Sequence, residues 1–247
     1  WTTAALTESG HQPPAAIATA IARITPTLRA LRHADGGLAR FHGGGRGLIG
    51  RLDHALAAAG DKTRPSEMLY MGYARLSGGR TSIVIDAATP PTGPASVNAH
   101  ASTLALEVTS GRRPLIVNCG SGRTFGEDWR RAGRATPSHS TLCIEGYSSS
   151  RLGTQSRVVT SRQELLDDVP GFVQAEFSTL HDGKRIELSH DGYRRTHGLT
   201  HARTLDLAMD GRGMVGDDVL TTLTDIDKQR FERALDATAL QGVPYAL

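Results

Sequence analysis

The segment Tyr73–Asp86 reads YARLSGGRTSIVID, and it decides the fold. Two short runs, Tyr73–Leu76 and Arg80–Asp86, are rich in residues that favour strands. Between them lies Ser77-Gly78-Gly79, and a glycine pair between two strands is typical of a hairpin turn. The segment therefore predicts two antiparallel strands.

Runs of the same kind recur along the rest of the chain. They lie at Thr103–Thr109, Pro114–Asn118, Thr141–Glu145, Gly171–Phe177, Arg185–His190 and Thr200–Met209. Gly, Pro, Ser or Asn bounds these runs, and pairs such as Asp182-Gly183 and Asp210-Gly211 supply turns. Strands at this spacing without helices between them predict antiparallel sheets packed as a sandwich. We expect residues 70–247 to form this mainly β domain.

The chain before residue 70 has a helical period instead. Its apolar residues recur every three or four positions and predict one apolar helical face within Pro13–Ala34: Ile17, Ile21, Ile24, Leu28 and Leu31. Pro26 would end or kink this helix, so two shorter pieces are an alternative. A second helix is expected at Leu48–Ala59, which makes residues 1–69 a helical segment. Near the other end, Asp225–Thr238 fits either a short helix or a charged loop.

The composition excludes several classes of protein. The 247 residues include 28 Lys and Arg and 25 Asp and Glu, a formal charge of +3, which is too small to indicate a nucleic-acid partner. The longest apolar runs are far shorter than the ~20 residues of a membrane-spanning helix. Two cysteines exclude a disulfide-rich miniprotein; Cys119 and Cys143 could pair, although two buried free thiols are the preferred interpretation.

Both ends of the chain look cut. It opens at Trp1 without Met, shows no signal peptide, and stops in the apolar run Val243–Leu247. The sequence indicates neither a compartment nor an oligomeric state.

Polar side chains at the ends of neighbouring predicted strands suggest a site. Asn98 and His100 precede one strand, Asn118 closes another, and His139 precedes a third. These residues could form a ligand cluster, or they could simply cap strands and satisfy backbone groups. Zinc prefers imidazole and carboxylate ligands, so an amide at position 118 would be a poor third ligand. The histidines in or beside the helices (His33, His42 and His54) are interpreted as ordinary surface or packing residues.

The segment Arg123–Arg134 is the most basic stretch and contains Trp129. Guanidinium groups hold carboxylate or sulfate, and an indole face stacks on a sugar ring, so Trp129, Arg130, Arg131 and Arg134 are candidates for binding a sugar acid. The alternative is a solvated loop anchored by a buried Trp129.

Four pieces of the sequence, taken in order, resemble the heparinase II/III-like polysaccharide lyase family. They are Asn98–Ala101, Leu115–Gly120, Trp129–Arg131 and Arg134–Thr141, and the later Asp191–Tyr193 and His201–Arg203 fit the same pattern. The resemblance implies an α/α toroid followed by antiparallel β-sheets of a supersandwich type. Residues 13–68 would then be the last toroid helices and a linker.

The resemblance also implies chemistry on acidic polysaccharides or oligosaccharides, in bacteria and in the periplasm or cell envelope. Such enzymes neutralise a uronate carboxylate, remove the C5 proton with a base, and protonate the leaving oxygen with an acid that is usually Tyr. In some members, two His and one Asp bind zinc in the sandwich.

Two departures from the family pattern remove chemistry. His100 and His139 match the metal-type histidines, but Asn118 stands at the Asp position and Asn98 at a catalytic-type His position. An amide cannot act as a base and binds zinc poorly. By position in the family pattern, the resemblance nevertheless implies Asn98 and His100 as the catalytic residues. It implies His100, Asn118 and His139 as the metal ligands.

Two functions follow as hypotheses. The chain is part of a polysaccharide lyase that acts by β-elimination, or it is a carbohydrate-binding or structural sandwich that has lost the lyase residues. A structural zinc site is a further possibility.

Overall fold

The computed structural model describes residues 1–60, 66–158, 161–238 and 241–247, with helices before Tyr70 and mostly strands after it. The helices are α1 (Thr2–Glu8), α2 (Ala15–Leu31), α3 (Arg51–Ala58), α4 (Glu127–Gly133), α5 (Arg194–His197) and α6 (Asp225–Ala237). The strands are β1 (Tyr73–Gly78), β2 (Thr81–Asp86), β3 (Leu106–Ser110), β4 (Arg113–Ile116), β5 (Cys143–Ile144), β6 (Arg151–Val158), β7 (Ser161–Asp168), β8 (Val173–Thr179), β9 (Gly183–Tyr193), β10 (Leu199–Ala208), β11 (Met214–Thr221) and β12 (Tyr245–Ala246). Single 3-10 turns lie at Gly93–Asn98, Arg123–Phe125 and Thr136–Ser138.

Two antiparallel sheets of four strands form the sandwich, in the orders β1-β2-β3-β4 and β11-β10-β9-β8. The predicted first hairpin is confirmed, since Tyr73 pairs with Asp86 and Gly78 with Thr81. Inward-facing aliphatic side chains of both sheets form the core, among them Leu76, Ile83, Ile85, Leu106, Ile186 and Leu205. The predicted fold class is confirmed: a mainly β sandwich preceded by helices.

The hairpin β6–β7 is a separate two-stranded sheet that the sequence analysis did not predict. It packs against the 3-10 turn Gly93–Asn98, where the Leu166 amide donates to Ser96 Oγ at 2.9 Å. The hairpin therefore supports the turn that carries Asn98.

Helix α2 runs through Pro26 as one piece, so the two-helix alternative is wrong. Thr25 Oγ1, in the residue before the proline, donates to the Ile21 carbonyl one turn back at 2.7 Å. The predicted apolar face is not the buried one: Ile21 and Ile24 are exposed, and the other three predicted residues are half-buried. The buried residues of α2 are Thr25, Thr27 and Ala30.

The remaining open alternatives have clear outcomes. Residues 225–237 form a helix, and the Thr224 hydroxyl accepts from the Asp227 amide at its start. Cys119 and Cys143 are both free thiols, the first exposed and the second buried. No helix within the described residues combines the length and apolar character needed to cross a membrane.

Candidate functional site

A pocket of about 230 Å³ lies where the loop after α2 meets the turn before β3 and the arginine-rich segment. We call it the His100 pocket. It is lined by His42, Gly43, Gly44, Asn98, His100, Ser121, Arg123, Arg130 and Arg134. Four of the predicted site residues thus share one pocket.

His100 and His139 contact each other, as expected from their places beside predicted strands, although His139 itself does not line the pocket. His100 Nδ1 lies 3.2 Å from His139 Nε2, and the ring centroids are 5.2 Å apart. Both residues are buried. One of these two nitrogens donates its proton to the other, so the tautomer and charge of one ring affect those of the other.

Burial keeps both imidazoles neutral. It lowers the pKa of His100 to about 2, and the nearby His139, His42, Arg134 and Arg130 add to this effect. Burial also lowers the pKa of His139 to about 4, although Asp86 partly opposes the shift. His100 is therefore an uncharged group beside arginines at neutral pH.

These two histidines predict acid sensitivity. Their folded-state pKa values lie below the ordinary 6.5, so the unfolded chain binds more protons between pH 6.5 and about 4. We expect the free energy of unfolding to fall as pH drops through this window, by up to ~1.4 kcal/mol per pH unit for each histidine. Urea unfolding at a series of pH values measures this slope. The double replacement His100→Asn and His139→Asn should reduce the slope but not abolish it, because burial also lowers the pKa values of His190 and His201. An equally steep profile in that variant would contradict the assignment.

His42 is a site residue that the sequence analysis missed. Its Nδ1 accepts from the His100 amide at 3.1 Å, and its Nε2 lies 3.1 Å from Asp86 Oδ2. Burial lowers the pKa of His42, but the charge of Asp86 and its hydrogen bond raise it, with a net rise above 6.5. The residue has φ 47°, a conformation that is strained for a side chain other than glycine. Its two polar contacts hold the loop in place over His100.

Arg134 has a different environment from the predicted one. The residue is buried, and it donates from Nε to the Ala99 carbonyl, from Nη1 to that of Glu164 and from Nη2 to that of Ser96, at 2.7–2.8 Å. All three nitrogens of the Arg134 guanidinium thus donate to backbone carbonyls, although the sequence predicted that this group binds an acid group of a ligand. We expect Arg134 to position the pocket wall rather than to bind a ligand itself.

Arg130 lines the pocket, whereas Arg131 and Trp129 lie outside it. Arg130 Nη2 donates to the Val97 carbonyl at 2.9 Å and to Gln163 Oε1 at 3.2 Å. Arg131 is largely exposed and pairs with Glu164. Trp129 is 64% exposed, so the alternative of a loop anchored by a buried tryptophan is wrong.

Asn118 contacts the backbone and a buried carboxylate. Its Oδ1 accepts from the Ser140 amide at 2.8 Å, and its Nδ2 and backbone amide both face Glu107 Oε1. Glu107 also contacts His33 Nε2 at 2.8 Å. Among the residues the structure describes, no three His, Cys, Asp or Glu side chains are placed to hold a metal ion. With Asn118 engaged in this way, the predicted zinc set of His100, Asn118 and His139 does not fit a zinc ion.

A second buried polar cluster lies inside the sandwich. The Gly192 amide donates to His190 Nδ1, so the neutral His190 ring carries its proton on Nε2. His190 Nε2 donates that proton to His201 Nδ1 at 3.2 Å. His201 Nε2 then donates to Asp218 Oδ1 at 2.5 Å, and Arg203 binds Asp218 through two nitrogens at 2.8 Å. Arg203 Nη1 also donates to the Ser140 carbonyl, next to His139. The cluster therefore supports the segment before β5 that carries His139.

Sequence comparison identifies relatives of this chain. The profile of the family described as heparinase II/III-like, C-terminal, matches residues 60–240. A protein of Caulobacter vibrioides named FtsZ-localized protein C is 32% identical over 253 aligned positions, covering 98% of this chain. The chain spans only 41% of the length of that curated relative.

Comparison with solved structures shows the same fold. The heparinase III product of the BT4657 gene has a TM-score of 0.54 at 15% identity, over 79% of this chain and 31% of that one. A second heparinase III structure has a TM-score of 0.43 at 12% identity, over 74% of this chain and 33% of that one, which is too distant to support an inference.

Proposed function

Because this chain belongs to the heparinase II/III-like C-terminal family, we propose that it binds the acid group of an acidic polysaccharide or oligosaccharide in the His100 pocket. The observation that carries this proposal is the charge of the pocket wall. Three arginines line the pocket, and none of the described lining residues is Asp or Glu. Arg123 is exposed there, so its guanidinium can pair with a carboxylate or sulfate.

Binding without cleavage is the function that the geometry favours. Asn98 cannot act as a base, and an imidazole with a pKa of about 2 is a weak one. No tyrosine of the described chain lines the pocket to serve as the acid.

Cleavage by β-elimination is the second candidate, and the unprotonated state of His100 favours it. A neutral imidazole beside arginines could accept the C5 proton of a uronate whose carboxylate those arginines neutralise. The acid would then have to come from outside the described lining of the pocket.

One experiment separates the two functions. Heparosan, alginate, polygalacturonate and hyaluronan are titrated into the protein by calorimetry, and the ultraviolet absorbance of an unsaturated product is followed in parallel. We expect binding of at least one polymer without absorbance change. A rising absorbance would establish elimination instead, and no binding to any of the four would contradict both candidates.

Arg123 should contribute directly to this binding. Arg123→Ala is expected to weaken the affinity for the uronate polymer about tenfold, or ~1.4 kcal/mol, because it removes an exposed cation from the pocket. Arg212→Ala is the matched control, since Arg212 is an exposed arginine at the Asp210 turn that lines no part of the pocket. Equal affinities of the two variants would contradict the role of Arg123.

A further inference from the structure

Two exposed aromatic side chains lie on the arginine-rich segment, close to the His100 pocket in sequence. Phe125 is 74% exposed and Trp129 is 64% exposed. Their rings contact each other edge to face, with centroids 6.3 Å apart. We call this pair the aromatic platform. A paired Phe and Trp in solvent indicates a binding surface, because such side chains carry large apolar area.

The platform is held rigidly. Gly122 has φ +60°, and a Cβ at this position would collide with the Trp129 backbone carbonyl, so the 3-10 turn packs closely against α4. The Phe125 amide donates to the Gly122 carbonyl at 2.9 Å, and the Arg130 amide donates to that of Gly126 at 2.9 Å. At the other end of the segment, Arg134 is fixed by three backbone carbonyls. The aromatic rings therefore project from a backbone that is already ordered before a ligand binds.

The platform borders the lining of the His100 pocket along the chain, although neither ring lines the pocket itself. The 3-10 turn that carries Phe125 begins with Arg123, and α4 places Arg130 directly after Trp129. Arg123 and Arg130 both line the pocket. Each ring is therefore carried within two residues of a lining arginine, which places the platform next to the pocket for a ligand longer than one unit.

We infer that Phe125 and Trp129 form a second sugar-binding subsite, on which the sugar unit next to the bound acid unit stacks. The inference rests on the proposed function of the His100 pocket. It narrows the ligand to an acidic oligosaccharide or polysaccharide of at least two consecutive units. Trp129 was expected to bind sugar, whereas Phe125 was not recognised from the sequence.

The charges around the platform favour a sugar over a membrane surface. Glu127 and Asp128 lie between Phe125 and Trp129 in sequence, and both are exposed. Two carboxylates at this position would oppose insertion of the rings into the apolar phase of a membrane, whereas a sugar leaves them in water. A sugar suits the same surface, because its hydroxyl groups can donate to carboxylates while its apolar face covers an aromatic ring.

The test uses tryptophan fluorescence in a Trp1→Phe background, since the sequence has only two tryptophans and Trp129 then becomes the sole reporter. Monosaccharides and tetrasaccharides from the four uronate polymers are titrated. We expect the tetrasaccharide to change Trp129 emission and to bind at least tenfold more tightly than the monosaccharide. Phe125→Ala, read by calorimetry, should lower tetrasaccharide affinity about tenfold and leave monosaccharide affinity unchanged. Arg123→Ala should weaken both ligands.

Leu115→Ala is the control, because Leu115 is a similarly exposed apolar residue on β4, outside the segment. Equal affinities for the two ligand lengths, or no effect of Phe125→Ala, would overturn the second subsite while the pocket stands. If no uronate binds at all, the proposed function fails and the second subsite fails with it. A change in Trp129 emission with phosphatidylglycerol vesicles but not with saccharides would overturn the inference in favour of a membrane surface.

Discussion

Replacing Arg203 by methionine should lower the free energy of unfolding by about 3–5 kcal/mol. Arg203 is 5% exposed and binds Asp218 through two nitrogens, and it also donates to the Leu104 and Ser140 carbonyls. Without it, His201 is the one remaining partner of the largely buried Asp218 carboxylate among the described residues. The Leu104 carbonyl loses a donor, whereas the Ser140 carbonyl keeps the Leu106 amide at 3.3 Å. Urea unfolding followed by circular dichroism measures the change.

The same sheet offers a matched control on its outer face. Arg185 binds Asp206 through two nitrogens at 2.7 Å, also between neighbouring strands, but these side chains are 36% and 27% exposed. Water solvates that pair in the folded and in the unfolded chain, so Arg185→Met should lower the free energy of unfolding by no more than ~1 kcal/mol. Equal losses in the two variants would contradict the view that burial sets the contribution of the Arg203 pair.

The second large effect is expected at Arg134. Arg134→Met removes a donor from three backbone carbonyls, of which that of Ser96 keeps the Ala99 amide at 2.9 Å. An unsatisfied buried group costs ~1–3 kcal/mol, so we expect a loss of roughly 2 kcal/mol or more. Arg131→Met, three residues earlier, removes only an exposed ion pair with Glu164 and should cost less than ~1 kcal/mol.

The two arginines also make different predictions for ligand binding. Arg134→Lys should recover part of the stability, because its ammonium can reach one of the carbonyls. At a temperature where that variant is folded, its uronate affinity should stay close to wild type, in contrast to Arg123→Ala. A tenfold loss of affinity in folded Arg134→Lys would show that Arg134 binds the acid group directly, as the sequence suggested.

Strands with strong alternation or aliphatic composition were predictable from the sequence, as β2 shows. The unpredicted ones lack that signal. β6 and β7 are mostly polar, and β7 carries three acidic residues within Glu164–Asp168 around a pair of leucines. β11 carries Gly216, Asp217 and Asp218 at its centre, residues that disfavour strands, and it forms because β10 supplies its hydrogen bonds and Arg203 pairs with Asp218.

Part of the pocket was also predictable. Asn98 and His100 were identified from their positions before a predicted strand, and Arg130 from the arginine-rich segment around Trp129. His42 was not, because its role depends on a left-handed turn after α2 and on a contact with His100, far along the chain. The one available signal was the triple glycine Gly43–Gly45 directly after it. The role of Arg134 could not be predicted either, because sequence does not show whether a guanidinium faces a pocket or backbone carbonyls.

The replacements at positions 98 and 118 agree with a binding domain derived from a lyase fold. Asn118 links Glu107 to the Ser140 backbone, so it stabilises the region around His139 without a metal. Asn98 has no capacity for proton abstraction, yet it remains in the wall of the pocket. The pocket lining thus includes three arginines and Asn98, whereas Asn118 lies outside it.

The most direct measurement is a titration of imidazole ¹⁵N resonances with the uronate tetrasaccharide that binds best. The His100 pocket predicts that the His100 and His42 ring resonances shift together with saturable binding. A different arginine-lined pocket, formed by Arg194, Arg195, Arg230 and neighbouring residues, lies beside α5, which carries His197. Shifts confined to His197, with His100 and His42 unchanged, would contradict binding in the His100 pocket.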